Sequence, residues 1–193
     1  TVVVNQLPIV ALAIPAEVCY QDDEFVLDGG SPTDGVGAYS IDGDLATWFN
    51  PSMAPNNSYE VVYTFEDLNG CISADTANVL INDLPVVALS NFPALCTNDI
   101  ALLLDGGTPL GGVFNYENVE ITEFDPSVGW GAYSVTYTYT DLNNCSASAN
   151  NSISVNPTPE LSFVAEDMCF GPDLIVENTS TIPQGSLQSA NWD

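Results

Sequence analysis

The chain contains no lysine, no arginine and no histidine, against 26 aspartates and glutamates in 193 residues, for a formal charge of -26. Without a cation there is no clamp for phosphate, no patch that releases counterions from nucleic acid and no attraction to anionic lipid. Without histidine there is no Ser-His-Asp or Cys-His site, no zinc-histidine cluster and no imidazole base. Chemistry run by carboxylates alone, as in glycoside hydrolysis, passes this filter, and little else does. Long apolar runs are lacking as well. Nothing approaches the ~20 consecutive apolar residues of a membrane helix, and no basic stretch followed by an apolar one opens the chain in the manner of a secretory leader. Nucleic acid and membrane insertion are therefore not expected.

What the chain does have is a hydrophobic fraction of 46% with 10% aromatics, ample for one or two packed cores and outside the disordered range. It also has the same text twice. "YTFEDLNGCI" begins at Tyr63 and "YTYTDLNNCS" at Tyr137. Upstream, "CYQDDEFVLDGGSPTDG" from Cys19 aligns with "CTNDIALLLDGGTPLGG" from Cys96, and Phe49-Asn50-Pro51 aligns with Phe124-Asp125-Pro126. The offset drifts only from 77 residues at the first cysteines to 74 at Cys71 and Cys145, so the copies differ by small loop deletions. Each closes on an alternating segment and a proline exit, "ANVLINDLP" and "NSISVNPTP".

This predicts four parts: residues 1-7 as the closing strand of a preceding or neighbouring module, 8-84 and 85-158 as two whole modules, and 159-193 as the first half of a third. Within a module, "YSVTYTYTD" alternates with period two and is rich in β-branched and aromatic residues, "DLNG" reads as a hairpin turn, and "SISVN" alternates again. The glycine pairs at Gly29 and Gly106, with Pro32 and Pro109 beyond them, read as turn punctuation. No stretch has a convincing helix period. The expectation is all-β, with tandem antiparallel β-sandwiches arranged head to tail.

The order Cys, Gly-Gly-x-Pro, Phe-x-Pro, a Tyr-rich block ending D-x-N-x-C and a proline exit resembles the immunoglobulin-like repeats of large secreted surface proteins of Bacteroidota. The segment "CFGPDLIVENTSTIPQGSLQSANWD" from Cys169 is similar to the first half of a polycystic-kidney-disease (PKD) type domain. The resemblance implies an extracellular or cell-surface protein, a structural subunit of a filament or stalk, with an adhesin module that binds carbohydrate or another cell as the alternative. It implies copies of the chain joined head to tail and covalent glycans; no enzymatic activity is expected, because a repeated sandwich without inserted loops offers no cleft to a carboxylate pair. The closing strand at Thr1 to Asn5 and the half-module from Leu161 would be complementary, so polymerisation by strand donation is one expectation. One longer continuous chain is the other. Tyr59 and Tyr133 resemble the tyrosine corner of such sandwiches.

Five cysteines, Cys19, Cys71, Cys96, Cys145 and Cys169, fall early and late in each module and read as disulfide candidates in an oxidising compartment. Counting pairs Cys19 with Cys71 and Cys96 with Cys145. Sandwich geometry puts the members of each such pair roughly 20 Å apart, whereas bridged Cα atoms lie within about 7 Å. A head-to-tail array instead favours Cys19 with Cys145 and leaves the other three for partners further along.

Among the acidic clusters at Asp22 to Glu24, Asp42 to Asp44 and Glu66 to Asp67, the D-x-D of Asp42 and Asp44 is the candidate for calcium, set against a plain solvated turn. No other cofactor is expected. Asn56, Asn144, Asn150 and Asn178 start N-x-[ST] triplets. Asp75-Thr76-Ala77 is similar to the acceptor for O-glycans in Bacteroidota, which makes Thr76 the first glycan candidate. Tyr63, Phe65, Tyr137 and Tyr139 read as core and cross-strand packing.

Overall fold

The computed structural model describes residues 4–53, 55, 57–165 and 176–186. Cys169 and Asn56, and Thr1 to Val3 of the expected closing strand, lie outside the described residues, while Val4 and Asn5 are not in a strand. The described residues are all-β apart from two single-turn 3-10 segments, Pro51–Met53 and Pro126–Val128. It divides into two units. The first comprises Thr1–Val86 with the hairpin tip Thr140–Ala147, and the second comprises Val87–Tyr139 with Ser148–Asp193.

The first unit carries β1 (Ala11–Leu12), β2 (Glu17–Cys19), β3 (Phe25–Val26), β4 (Gly30–Ser31), β5 (Val36–Ile41), β6 (Asp44–Leu45), β7 (Trp48–Phe49), β8 (Asn57–Glu66) and β9 (Ile72–Asn82). Five of these form one sheet in the order β2-β9-β8-β5-β6, and β1-β4 and β3-β7 pair separately. The second unit repeats the plan with β10 (Ala88–Leu89), β11 (Leu95–Cys96), β12 (Leu102–Leu103), β13 (Gly107–Thr108), β14 (Val113–Tyr116), β15 (Val119–Ile121), β16 (Glu123–Phe124), β17 (Gly131–Thr140) and β18 (Ser146–Asn156). Its large sheet is ordered β11-β18-β17-β14-β15. After Pro157 follow β19 (Phe163–Ala165) and β20 (Val176–Asn178), paired antiparallel.

Period two puts alternate residues of the long hairpins on one face, and that face is the core. Val61 and Val79 are buried with Leu27, Phe49 and Ile81 in the first unit, as are Val135 and Ile153 with Leu95, Leu104, Phe124 and Val155 in the second. The Phe-x-Pro motif is structural in both copies: Phe49 and Phe124 fill the cores, and the following prolines, both buried, open the 3-10 turns. In the second copy Asp125 caps that turn, and the Ser127 backbone N–H, then its hydroxyl, hold this carboxyl below its ordinary value.

The pattern departs from the antiparallel expectation at one place in each unit. β2 runs parallel to β9 and β11 parallel to β18. A parallel pair needs a long connection, and here the whole body of the module lies between the two strands. The register also decides the cysteine question: Cys19 stands opposite Asn82 at the end of β9, whereas Cys71 immediately precedes β9. Eleven residues of strand at ~3.3 Å each separate the two ends by about 36 Å, so a bond between Cys19 and Cys71 is excluded.

Candidate functional site

The chemistry the fold assembles is a disulfide between Cys19 and Cys145, with Cα atoms 5.5 Å apart and a sequence separation of 126. It joins the first cysteine of one repeat to the last cysteine of the next, and it lies in the first unit because the Thr140–Ala147 tip groups there. Cys145 is fully buried and Cys19 nearly so. Cys71 is partly exposed and Cys96 exposed, both as free thiols.

Each of the four described cysteines is set in place by an aspartate. The Cys19 backbone N–H donates to Asp22 Oδ2 at 2.7 Å, and the Cys96 N–H donates to Asp99 Oδ2 at 2.7 Å. In the hairpin turns the Cys71 N–H donates to Asp67 Oδ1 at 2.9 Å and the Cys145 N–H to Asp141 Oδ1 at 2.9 Å, while the same oxygens accept from the N–H of Asn69 and Asn143. Gly70 and Asn144 take positive φ in these loops, at 76° and 63°, the bulge position that follows a type I turn in a three-residue hairpin. The "DLNG" of the first copy reads as a hairpin turn in the sequence; its role in presenting the cysteine is not visible there.

These hydrogen bonds, the Cys71 N–H first and then Asn69, hold the Asp67 carboxyl below its ordinary value. A depressed carboxylate contributes stability above the unfolded value of ~3.9, and the contribution is lost as pH falls through the folded value. Asp67→Asn keeps the accepting carbonyl oxygen and removes the charge. Its melting temperature is expected to fall below that of the parent at pH 7, with the gap narrowing as the pH falls below the ordinary carboxylate value of ~3.9; a gap that stays constant with pH would contradict this.

Backbone amides are also the partners of Asp42 and Asp75, whose carboxylates accept from the Glu60 and Leu12 N–H groups. Asp42 and Gly43, at φ of 48° and 93°, form the turn between β5 and β6, and two positive φ values identify a type I′ hairpin turn. Asp42 Oδ1 accepts from the Glu60 N–H at 3.0 Å, and Asp44 is exposed at the start of β6. No cluster of three or more His, Cys, Asp or Glu side chains suited to a metal occurs among the described residues.

Of the glycan candidates, Thr76 is exposed in the middle of β9 opposite Val62, while Asp75 beside it accepts from the Leu12 N–H at 2.8 Å and anchors β1. Asn144 is exposed in its turn, Asn150 accepts from the Thr136 hydroxyl at 2.6 Å, and Asn178 Oδ1 accepts from the Ser180 N–H.

Of the aromatics in the doubled text, Tyr139 is half-buried and the other three face inward. Tyr63, Phe65 and Tyr137 are buried; Tyr63 donates its hydroxyl to the Pro32 carbonyl at 2.7 Å and Tyr137 donates to that of Pro109. Burial, then neighbouring Tyr39 and Asp34, hold the Tyr63 phenol above its ordinary value. Tyr133 donates its hydroxyl to the Gly129 carbonyl at 3.0 Å, four residues upstream.

A shallow groove not anticipated from the sequence lies on the second unit, lined by Asn115, Tyr116, Glu117, Asn118, Ser134 and Thr136. The Tyr116 and Tyr133 rings meet edge to face, 6.0 Å apart. The Tyr116 hydroxyl donates to Glu117 Oε1 at 3.2 Å, and burial followed by this bond raises its value.

No family model and no curated protein matches the chain. Among solved structures, a Ca2+-stabilised adhesin with which an Antarctic bacterium reaches out and binds ice matches 81% of this chain and 52% of its own, at 11% identity and a TM-score of 0.42. SGBP-B of the Bacteroides ovatus mixed-linkage glucan utilization locus, solved with a mixed-linkage heptasaccharide, matches 79% and 48%, at 16% identity and a TM-score of 0.30. The chain thus spans about half the length of each, and neither score is high enough to show a shared fold.

Proposed function

We propose that the chain is a segment of an extracellular surface protein of the adhesin kind, and that its two immunoglobulin-like sandwiches are the structural repeats of a stalk. The observation that carries this reading is the Cys19–Cys145 disulfide: it ties the beginning of one repeat to the end of the next, and such a bond persists in an oxidising compartment. The reading is supported by the equal construction of the two modules, without an insertion in either, and by carboxylates engaged as backbone caps. A repeat of this kind serves by holding its length under load.

Stretching single molecules by their termini tests the reading. The disulfide locks the 126-residue span, which at ~3.5 Å per residue amounts to about 440 Å of chain. That length is expected to stay hidden in oxidised protein and to be released on adding reductant. Full extension without reductant would overturn a load-bearing role.

A second reading, a module that itself binds sugar, is favoured by the tyrosine-bearing polar groove on the second unit, since carbohydrate sites combine ring faces with uncharged donors and acceptors. Binding of the purified segment to a glycan array, lost in Tyr116→Ala, would select this reading over the stalk.

A further inference from the structure

The disulfide uses one cysteine of each of two kinds, and both kinds occur a second time. Cys96 ends β11 as Cys19 ends β2, and it stands opposite Asn156 on a parallel strand as Cys19 stands opposite Asn82. Its N–H donates to Asp99 and its carbonyl accepts from the Asp99 N–H at 3.0 Å, while Cys19 makes the same two bonds with Asp22, at 2.7 and 2.9 Å. Cys71 follows its turn as Cys145 does, and in each the cysteine carbonyl accepts from the N–H of the turn aspartate at 3.0 Å. The backbone that holds the two bonded cysteines is therefore already built around the two free ones. What differs is burial: the bonded pair is buried, and the free pair is not.

The bonded pair shows what each kind of site accepts, independently of the sequence repeat. The register denies both free cysteines a partner inside their own module, because Cys71 and Cys19, like Cys145 and Cys96, sit at opposite ends of an eleven-residue strand.

We propose that Cys71 and Cys96 are the two open halves of this same bond, each taking a cysteine of the complementary kind on another module of this design, so that in the purified chain Cys96 of one copy bonds Cys71 of the next. The pairing is directional. A leading cysteine at a strand end takes a hairpin cysteine, and like does not pair with like. The two halves occupy different places on the chain, so the contact is heterologous and propagates instead of closing as a two-fold dimer. The step is thiol–disulfide exchange: one thiolate attacks an oxidised low-molecular-weight disulfide and releases one thiol, and the second thiolate then displaces the other thiol from the mixed disulfide. Two cysteine thiols are oxidised, and one small disulfide is reduced to two thiols. The inference goes beyond the surface-protein reading and shares with it only the oxidising surroundings.

The test uses the full chain carrying Cys169→Ser, so that the fifth cysteine takes no part, in a buffer of oxidised and reduced glutathione. Non-reducing electrophoresis is expected to show a ladder of multimers, and peptide mapping to show Cys71 joined to Cys96 with Cys19–Cys145 intact. With Cys71→Ser or Cys96→Ser added, each variant alone is expected to stay monomeric, while an equimolar mixture of the two yields dimers that do not extend. Dimers from either variant alone, a mixture that stays monomeric, or a Cys71–Cys96 bond formed within one copy would each overturn the proposal. The experiment is run in a defined redox buffer and scores no adhesion, so its failure is distinct from failure of the stalk reading.

Discussion

Replacing Cys145 with serine is expected to cost about 4–5 kcal/mol in stability. The bond closes a span of 126 residues, and in the chain-entropy model a loop of that size confines the unfolded ensemble by about 5 kcal/mol. Native strain and residual structure in the unfolded chain usually reduce such figures, while the buried setting of Cys145 adds an unpaired hydroxyl in the variant. With a slope of about 2 kcal/mol per molar in urea, the unfolding midpoint falls by roughly 2 M. Cys19→Ser should match it, and the double variant should cost no more than either single, because both remove the same bond. Cys71→Ser and Cys96→Ser, at exposed or half-exposed thiols, should shift the midpoint of the monomer by a few tenths of a molar at most. If reductant lowers the midpoint of the parent no further than that of Cys145→Ser already lies, the effect is the disulfide's. An unchanged midpoint in Cys145→Ser would mean that the bond constrains nothing the unfolded chain would otherwise explore.

The repeat, the long hairpins and the core were legible from the sequence because each rests on a local period. "EVVYTF" and "SVTYTY" alternate, and their inward members Val61, Tyr63, Phe65, Val135 and Tyr137 are the buried ones. The choice of Cys19 with Cys145 over pairing within a module was legible as a matter of distance, but the parallel pairing of β2 with β9 that makes the distance so large was not. Parallel neighbours are set by a crossover through the whole module, and no window of residues carries that information. The acidic clusters left two readings open. Asp42-Gly43-Asp44 has the D-x-D spacing of a calcium ligand pair and also that of a solvated turn, and the backbone forms a type I′ hairpin there whose first carboxylate faces the Glu60 amide. With no lysine or arginine in the chain, the aspartates cap turns and set the four described cysteines, a role visible only once the hydrogen bonds are placed. The groove beside Tyr116 escaped for a similar reason: its lining comes from separate strands brought side by side.

The glycine pairs show how a motif can be found and its reason missed, and they carry the second large effect. Gly29-Gly30 and Gly106-Gly107 read as turn residues, but Gly30 and Gly107 lie in strands β4 and β13 and are buried. An added Cβ at Gly30 would sit 2.5 Å from the ring of Tyr63, and one at Gly107 would sit 2.5 Å from the ring of Tyr137. Those rings cannot swing away. Each is buried, hydrogen-bonded through its hydroxyl to the carbonyl of Pro32 or Pro109, and packed at a tilt against a neighbouring ring, Tyr39 at 4.7 Å in the first unit and Phe114 at 4.8 Å in the second. The glycine and the tyrosine are therefore one device, a flat ring laid on bare backbone, built twice. Gly30→Ala and Gly107→Ala are each expected to cost about 3 kcal/mol, at the upper end of the usual cost of overpacking, because the clash is with an immobile ring. Tyr137→Phe, which loses only the hydroxyl bond, should cost about 1 kcal/mol. Pairing Gly107→Ala with Tyr137→Ala separates the clash from a general backbone defect. If the ring is the obstacle, the double variant is more stable than the sum of the two single losses predicts by 1 kcal/mol or more, since removing the ring leaves space for the new methyl. Additive losses in the double variant would show that the glycine serves the backbone alone and that the tyrosine packs on it by coincidence.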